Sequence, residues 1–567
     1  MHLRALRIPF SAVDINGSSP PQASSGRRRV SQIFLWIAVA FALRTVALRG
    51  DGLWMDEGYT AWTAHLPARE HAIAVRHDDA PPLYYSLQRI LLPHLPPNEA
   101  SVRALSVAAG VAGTAWLAIC LPFAEVGGLP AALFAAGTYG VYYGRQGRSY
   151  ALLMLWALLL LTATGRFLRS GNPRWLVLVA ASEGLALWTH NVAINLVIGA
   201  NLAWIVCGRR HPRRWLIGQA CVLAVWLPYL LTIFPAQYAV HSQLNTWIDK
   251  YWQKVPIAAA PLLSLASFTS GARVEPLPPA ERWYYYGPGS TVISVLAIAS
   301  VAILLAAALV RRGERRNALF AASFTLGPLL SLTILSIIAP PSYTPARTDA
   351  IAYGGFVLWI AIGLRSLPRR IGWPLLGILI VSTALAMAIR MPLDGHRREA
   401  DRKIGERLRA EVRPGDWVAF VELSRPSIDY YLSGGRPGRP DPTIRRVPYP
   451  AVAGLNPASD HLVSSDSLKT WEAEAIRLRR TFESESGPPN RMFYFVGPMF
   501  FGRTQSPTAA DLPYPGSILA YTFNGLRPLD PLARLPGDEM AVDWLTFRVA
   551  RTDLIPADSL QPVQVEP

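Results

Sequence analysis

Acidic side chains are concentrated in two short stretches, DGLWMDEGYT at residues 51–60 and HDDAPPLYY at residues 77–85. A carboxylate held in a fixed position can take a proton from a hydroxyl while that hydroxyl attacks another atom. Aromatic rings and a pair of prolines flank the acids, which favours a shaped segment, and simple solvation of each acid is the alternative. The candidate catalytic residues are Asp56, Glu57 and Asp78, and Asp79 is a candidate binding residue.

Arginines occur in two other stretches that lie between apolar segments, YYGRQGRSY at 142–150 and YTPARTD at 343–349. The guanidinium groups of Arg145, Arg148 and Arg347 can bind a phosphate through paired N–H donors. The alternative is that each arginine anchors a helix end by extending its side chain to the membrane surface. We interpret them as binding residues because the predicted topology places them on the side that the other arginines avoid.

The composition indicates that a membrane domain must position these residues. Of the 567 residues, 51% are hydrophobic and 16% are charged, which is too apolar for a soluble globular protein of this length. A membrane helix needs about 20 apolar residues, and the hydropathy pattern predicts about eleven such helices. They are expected near residues 31–48, 102–124, 128–143, 150–168, 175–190, 191–207, 215–234, 291–310, 318–339, 349–364 and 371–390.

The basic residues predict the orientation of these helices. The net charge of +17 comes largely from arginines clustered between apolar runs, so it indicates topology and not nucleic-acid binding. With residues 1–29 as a disordered cytoplasmic tail, nearly every basic cluster falls in a cytoplasmic loop. The transmembrane domain then covers residues 30–390, with outer loops at 49–101 and 235–290. We expect a multi-pass protein of the inner (plasma) membrane whose tail, residues 391–567, is extracytoplasmic.

The tail has the composition of an aqueous domain. Apolar positions at helical spacing predict a helix over 399–412, and a Pro-Gly-Asp turn then leads into the strand-like WVAFVEL at 417–423. Further strands are predicted at 491–497 and 544–550. We therefore expect a soluble α/β domain after the membrane helices.

Two polar residues stand out at or within the apolar segments. His190 is expected at a turn between the fifth and sixth helices, where it is a candidate binding residue; no partner spacing supports a metal site. Glu183 lies within the fifth helix and receives no role, because it could pair for packing alone. The cysteines lie in apolar runs and imply no disulfide framework.

Four stretches resemble, in order and spacing, the C-type (GT-C) superfamily of membrane glycosyltransferases. They are LWMDEGYTA at 53–61, DDAPPLYY at 78–85, YYGRQGRSYALL at 142–152 and LALWTHNVAINLV at 185–197. The likeness is strongest to glycosyltransferase family 39, with the protein O-mannosyltransferases and the bacterial aminoarabinose and lipopolysaccharide core transferases. It covers residues 30–390, and the tail is similar to the soluble domain of many bacterial members.

The resemblance implies a polytopic α-helical GT-C fold with a C-terminal α/β domain, and a donor in which a polyprenyl phosphate carries the sugar. By the family pattern Asp56 is the general base, Glu57 its neighbour and Asp78 the second loop acid, while Arg148 and Tyr150 line the phosphate site. The chain departs from the pattern at Ala80, Gln146 and Thr348. The full set of candidate binding residues is Asp79, Tyr84, Arg145, Arg148, Tyr150, His190 and Arg347.

The residues themselves predict the same reaction. A sugar hydroxyl needs a base, whereas a phosphate leaving group needs positive charge more than an acid. We therefore expect an inverting glycosyltransferase without nucleotide-sugar site, cofactor or metal, acting on a glycan, lipid or protein hydroxyl. The alternatives are a lipid or sugar transporter or flippase, and a cell-envelope assembly protein.

Overall fold

The computed structural model describes residues 23–554 apart from 79, 121–127, 245–247, 249–251, 254, 271–287, 422–423, 438–439, 451–464, 486, 489, 499–514, 525–529 and 536–543. The expected tail at 1–29 and loop at 235–290 therefore fall partly outside the described residues. The helices up to the first strand are α1 Ala23–Thr45, α2 Met55–His65, α3 Ala68–Arg76, α4 Leu83–Leu91, α5 Glu99–Cys120, α6 Leu129–Ala136, α7 Thr138–Gly144, α8 Tyr150–Ser170, α9 Pro173–Thr189, α10 Ala193–Val206, α11 Pro212–Thr232, α12 Phe234–Leu244, α13 Ala260–Ser270, α14 Pro288–Val310, α15 Arg315–Ile338, α16 Tyr353–Ser366 and α17 Arg369–Glu411.

Within the described residues, six helices are long and apolar enough to cross a membrane. They are α5, α8, α11, α15, the Val292–Val310 part of α14 and the Arg369–Ala388 part of α17. Shorter apolar helices occur at Val30–Thr45, Ala193–Val206 and Ile257–Thr269. The prediction of a polytopic helical membrane protein is therefore confirmed.

Two predicted helices differ from the structure in shape. The stretch at 128–143 forms α6 and α7, because the backbone at Gly137 is extended with ψ of 130° and interrupts the helix. The last predicted span and the predicted helix at 399–412 are both parts of α17, which runs unbroken for 43 residues. The expected domain boundary after residue 390 thus lies inside one helix.

The acid-bearing segment forms three short helices, α2, α3 and α4, between α1 and α5. Trp54 precedes α2 with an extended backbone, and Asp56 and Glu57 occupy the first turn. Carboxylates at this position interact favourably with the positive end of the helix dipole. The two acids therefore favour the start of α2 at this point of the sequence.

The C-terminal part is an α/β domain built on a five-stranded sheet of order β2-β1-β3-β5-β4. Strands β1, β2 and β3 are parallel, and β5 runs antiparallel to β3 and β4. The predictions of β1, β3 and β5 are confirmed, whereas β2 and β4 were missed. The elements are β1 Trp417–Val421, α18 Arg425–Leu432, β2 Arg445–Tyr449, α19 Ser465–Ser484, β3 Met492–Pro498, α20 Pro515–Asn524, β4 Asp530–Leu535 and β5 Trp544–Ala550.

Candidate active site

Asp56 faces two arginines that come from distant parts of the chain. Its Oδ2 is 2.5 Å from Nη2 of Arg347 and 3.5 Å from Nε of Arg148. The Asp56 side chain keeps 15% of its surface exposed. Neither contact uses Oδ1, which makes no hydrogen bond to a residue that the structure describes. One carboxylate oxygen is thus held between two cations, and the other can accept a proton.

Tyrosine hydroxyls hold both arginines. Nη1 of Arg148 donates to Tyr85 over 2.8 Å, and Nε of Arg347 donates to Tyr150 over 2.7 Å. Burial alone would lower the pKa of each guanidinium, but Asp56 and the tyrosines raise it well above its ordinary value. Both arginines therefore stay cationic, so two positive charges face the single carboxylate of Asp56.

The turn that carries Arg347 is closed by an acid two residues further on. Ala346 has a left-handed backbone with φ of 61°, and its N–H donates to Oδ2 of Asp349 over 2.9 Å. Tyr139 donates its hydroxyl hydrogen to the other oxygen of Asp349, which is fully buried. The Arg347 guanidinium also lies 5.7 Å from the centre of the Trp54 ring, a cation–π distance. These contacts fix the direction in which Arg347 points.

Glu57 points into the protein interior, about 100° around the helix from Asp56. Its two oxygens accept hydrogen bonds from Nε and Nη2 of Arg103 over 2.8 and 2.7 Å, and both side chains are fully buried. The Gly147 N–H donates to Glu57 over 2.7 Å. A Cβ at Gly147 would lie 2.8 Å from Cγ1 of Val102, so glycine allows this close approach. Glu57 therefore ties α2 to α5 and to the loop that carries Arg148.

Asp78 is partly buried and lies near Arg148. It is among the groups that raise the pKa of Arg148, after the opposing effect of burial and the larger contributions of Asp56 and two tyrosines. Asp79, a predicted binding residue, lies outside the described residues. The second acidic stretch thus contributes one described carboxylate to the field around Arg148.

The turn that carries Asp78 is held from the other side by Gln237 on α12. The Gln237 amide donates to the carbonyl oxygens of Val75 over 2.8 Å and of Ala80 over 2.7 Å. Its own carbonyl oxygen accepts the Tyr229 hydroxyl hydrogen over 2.6 Å. A residue more than 150 positions away in sequence therefore fixes both ends of the acidic turn.

Tyr84 is buried beside the site, and its hydroxyl hydrogen bonds go to residues other than the two arginines. Its hydroxyl lies 3.2 Å from Oγ of Ser106 and accepts from the Gln88 amide over 2.9 Å. The next residue, Tyr85, is the one that reaches Arg148. The structure therefore brings Tyr85 and not Tyr84 to the phosphate-binding arginines proposed from the sequence.

Arg145 and His190 occupy the surroundings of the cluster. Arg145 pairs with Asp51 over 3.1 Å and also donates to carbonyl groups at the end of α1. The His190 ring lies 5.5 Å from the Tyr150 ring, and Nδ1 of His190 accepts from the Val192 N–H over 3.3 Å. His190 thus packs beside a tyrosine that holds Arg347, whereas Arg145 anchors α1.

Sequence reasoning missed five residues that build this site: Tyr85, Arg103, Tyr139, Gln237 and Asp349. Tyr85 and Asp349 lie within quoted stretches, so their proximity to predicted residues was a usable signal. The roles of Arg103, Tyr139 and Gln237 depend on contacts between segments far apart in sequence, which one sequence does not reveal.

One cavity lined by described residues lies away from this cluster. It has a volume of about 430 Å³ and lies between the last turn of α2 and the C-terminal domain, where His65, Arg89 and Tyr430 contribute to its lining. None of the predicted site residues lines it. Among the described residues, no group of three or more His, Cys, Asp or Glu side chains could hold a metal.

Comparison with known proteins identifies the fold. No protein-family model and no curated protein sequence matches the chain. The crystal structure of ArnT from Cupriavidus metallidurans bound to undecaprenyl phosphate is similar, with a TM-score of 0.52, 14% identity, and coverage of 92% of this chain and 98% of that chain. ArnT in the apo state gives a TM-score of 0.55 at 14% identity, covering 95% and 100%. The chain therefore has the fold of these ArnT structures, with a helical membrane domain followed by a C-terminal domain.

Proposed function

We propose that the protein is an inverting glycosyltransferase that moves a sugar from a polyprenyl phosphate to an acceptor hydroxyl. The observation that supports this proposal is the contact of the Asp56 carboxylate with Arg148 and Arg347, two cations that could bind a phosphate. The likeness to a protein whose structure holds undecaprenyl phosphate supports a lipid-linked donor.

In the proposed reaction Oδ1 of Asp56 accepts the proton of the acceptor hydroxyl. The hydroxyl oxygen forms a bond to the anomeric carbon as the bond from that carbon to the phosphate oxygen breaks. The bond forms on the face opposite the leaving group, so the anomeric configuration is inverted. The lipid phosphate departs with an added negative charge, which Arg148 and Arg347 neutralise.

The remaining acids and tyrosines support this chemistry in the proposal. Glu57 ties α2 to α5 through Arg103. Asp78 adds negative charge near Arg148, and Asp79 is proposed as a binding residue from its position in the sequence beside Asp78. Tyr150, with His190 packed beside it, and Tyr85 set the positions of the two arginines. Tyr84 and Arg145 stabilise the elements around the site, Tyr84 by holding α4 and Arg145 by holding the end of α1. The proposed acceptor is a hydroxyl of a glycan, a lipid or a protein.

The test is sugar transfer by the full chain in membranes supplied with radiolabelled polyprenyl-phosphate sugars. Asp56→Asn keeps the size of the side chain and removes the base, so transfer should be lost at normal protein level. Asp51→Asn is the matched control, because Asp51 is an acid of the same segment that pairs with Arg145 instead. Transfer that survives in Asp56→Asn would overturn the assignment of the base. Absence of transfer by the wild type with every donor would favour a transporter or an assembly protein.

The proposed orientation places the N-terminus in the cytoplasm and the C-terminal domain outside the cytoplasmic membrane. Arg436→Cys, at an exposed position of that domain, should react with a membrane-impermeant maleimide in intact spheroplasts. Arg312→Cys, exposed between α14 and α15, is the control and should react only after the membrane is opened. The opposite pattern would reverse the orientation and move the site to the cytoplasmic face.

A further inference from the structure

The C-terminal domain contacts the helix that carries the proposed base. Helix α18, which follows the first strand of the sheet, packs along α2. A Cβ at Gly58 would lie 2.5 Å from Cα of Ser427, so the two backbones touch at the position after Glu57. The contact is therefore made within one helical turn of Asp56.

Tyr431 on α18 bonds directly to the chain just before α2. Its hydroxyl oxygen accepts the N–H of Leu53 over 2.7 Å, and its hydrogen points to Oε1 of Glu99 over 3.2 Å. Burial raises the pKa of the Tyr431 hydroxyl well above its ordinary value, and Glu99 adds to that shift. The hydroxyl therefore stays protonated and can accept one hydrogen bond and donate another. The Leu53 N–H that it accepts lies three residues before Asp56 in the sequence.

Other side chains hold the two parts together on either side of Tyr431. Nη2 of Arg402, on α17, pairs with Glu99 over 2.9 Å and donates to the carbonyl oxygen of Arg49 over 3.2 Å. The Arg425 guanidinium lies 5.4 Å from the centre of the Trp62 ring. The contact thus runs along most of α2, and the Tyr431 hydrogen bond is the part closest in sequence to Asp56.

We propose that Tyr431 is a positioning residue of the active site, supplied by the C-terminal domain. The proposal rests on the proposed transferase function. Asp56 must meet arginines from two other segments, so a displacement of α2 by about 1 Å would spoil its geometry. The hydrogen bond to Leu53 fixes the start of α2 relative to the domain, and the domain thereby holds Asp56 in place.

The experiment compares Tyr431→Phe with Tyr430→Phe in the full chain. The neighbouring Tyr430 is equally buried, but its hydroxyl makes no hydrogen bond within the described part of the chain, so it is a matched control. We expect Tyr431→Phe to lower kcat by about tenfold with little change in KM for the donor, since chemistry and not donor binding is disturbed. Tyr430→Phe should leave both constants unchanged.

Hydrogen exchange of the Leu53 amide gives a readout that does not depend on activity. In Tyr431→Phe this amide should exchange faster than in the wild type, and in Tyr430→Phe at the wild-type rate. Equal exchange and equal kcat in the two variants would overturn the proposal. Faster exchange with unchanged kcat would also overturn it, while leaving the transferase function intact. A wild type that transfers no sugar would instead disprove the proposed function, and with it a positioning role in that reaction.

Discussion

Asp56 and Glu57 are adjacent acids that both pair with arginine, yet their environments are opposite. The Glu57–Arg103 pair is fully buried, and both oxygens of Glu57 accept hydrogen bonds. Asp56 is partly exposed, and one of its oxygens lacks a hydrogen bond to any described residue. An ion pair in which both carboxylate oxygens accept hydrogen bonds can hold elements together, whereas a carboxylate oxygen without a hydrogen bond to a described residue can accept a proton. Within one helical turn, therefore, Glu57 has a structural environment and Asp56 has the environment of a reactive group.

The arginines of the two clusters differ in the same way. Arg103 donates to Glu57 and also to three backbone carbonyl groups between positions 48 and 52, so its donors are used internally. Arg148 and Arg347 share one carboxylate oxygen, and each donates a hydrogen bond to a tyrosine hydroxyl. Two cations that share one anion retain the capacity to bind a second, such as a phosphate.

The largest effect is expected at Asp56. Asp56→Asn should lower the transfer rate by about 10²–10⁴-fold, the usual contribution of a general base. Its thermal unfolding temperature, followed by tryptophan fluorescence in detergent, should stay close to that of the wild type because the side chain is partly exposed. A large loss of stability would show that Asp56, like Glu57, is mainly a structural acid, and would contradict the proposed difference between the two residues.

Glu57→Gln should act mainly on stability. Removing one partner of a buried ion pair costs about 3–5 kcal/mol, because the other charge is left uncompensated. We therefore expect a clearly lower unfolding temperature and less folded protein, with the molecules that do fold retaining transfer activity. Transfer per folded molecule that falls as far as in Asp56→Asn, with normal stability, would give Glu57 a direct part in the chemistry.

Arg347→Gln should weaken catalysis by about 10²–10³-fold, the range found for loss of one donor to a developing anion. Arg103→Gln is the contrasting variant, since the same change in the buried pair should reduce stability. The measurement is kcat with a polyprenyl-phosphate sugar alongside thermal unfolding. If Arg347→Gln left kcat unchanged, the phosphate would have to be bound elsewhere.

Sequence reasoning predicted the elements of this site better than their contacts. Long apolar runs identify membrane helices from local hydropathy alone, so the positions of α5, α8 and α15 were predicted closely. The Asp56, Arg148 and Arg347 stretches were also recognised, because their charges are unusual in apolar surroundings. The separation of Asp56 from Glu57 was not predicted, since it depends on Arg103 approaching from another helix.

The shapes of two helices were missed for a related reason. The break at Gly137 leaves the hydropathy unchanged. Helix α17 continues through Pro392 and Gly395, which are residue types that favour a helix end near the membrane surface. Strand β2 mixes exposed, partly buried and buried residues and has no long apolar run, so its sequence alone does not predict a strand. Its parallel pairing with β1 is what forms the strand.

The smallest effect is expected at the two tyrosines that sequence alone could not tell apart. Tyr85→Phe removes the hydroxyl that accepts from Arg148, and a neutral-to-charged hydrogen bond of this kind is worth about 1.5–3 kcal/mol at most. Because Arg148 keeps its contact with Asp56, we expect only a severalfold loss of kcat. Tyr84→Phe removes a hydroxyl that bonds to Gln88 and Ser106, so kcat should not change. A larger loss of kcat in Tyr84→Phe than in Tyr85→Phe would indicate that the phosphate binds on the side of α4 that carries Tyr84. It would also contradict the role of Tyr85 in positioning Arg148 beside Asp56.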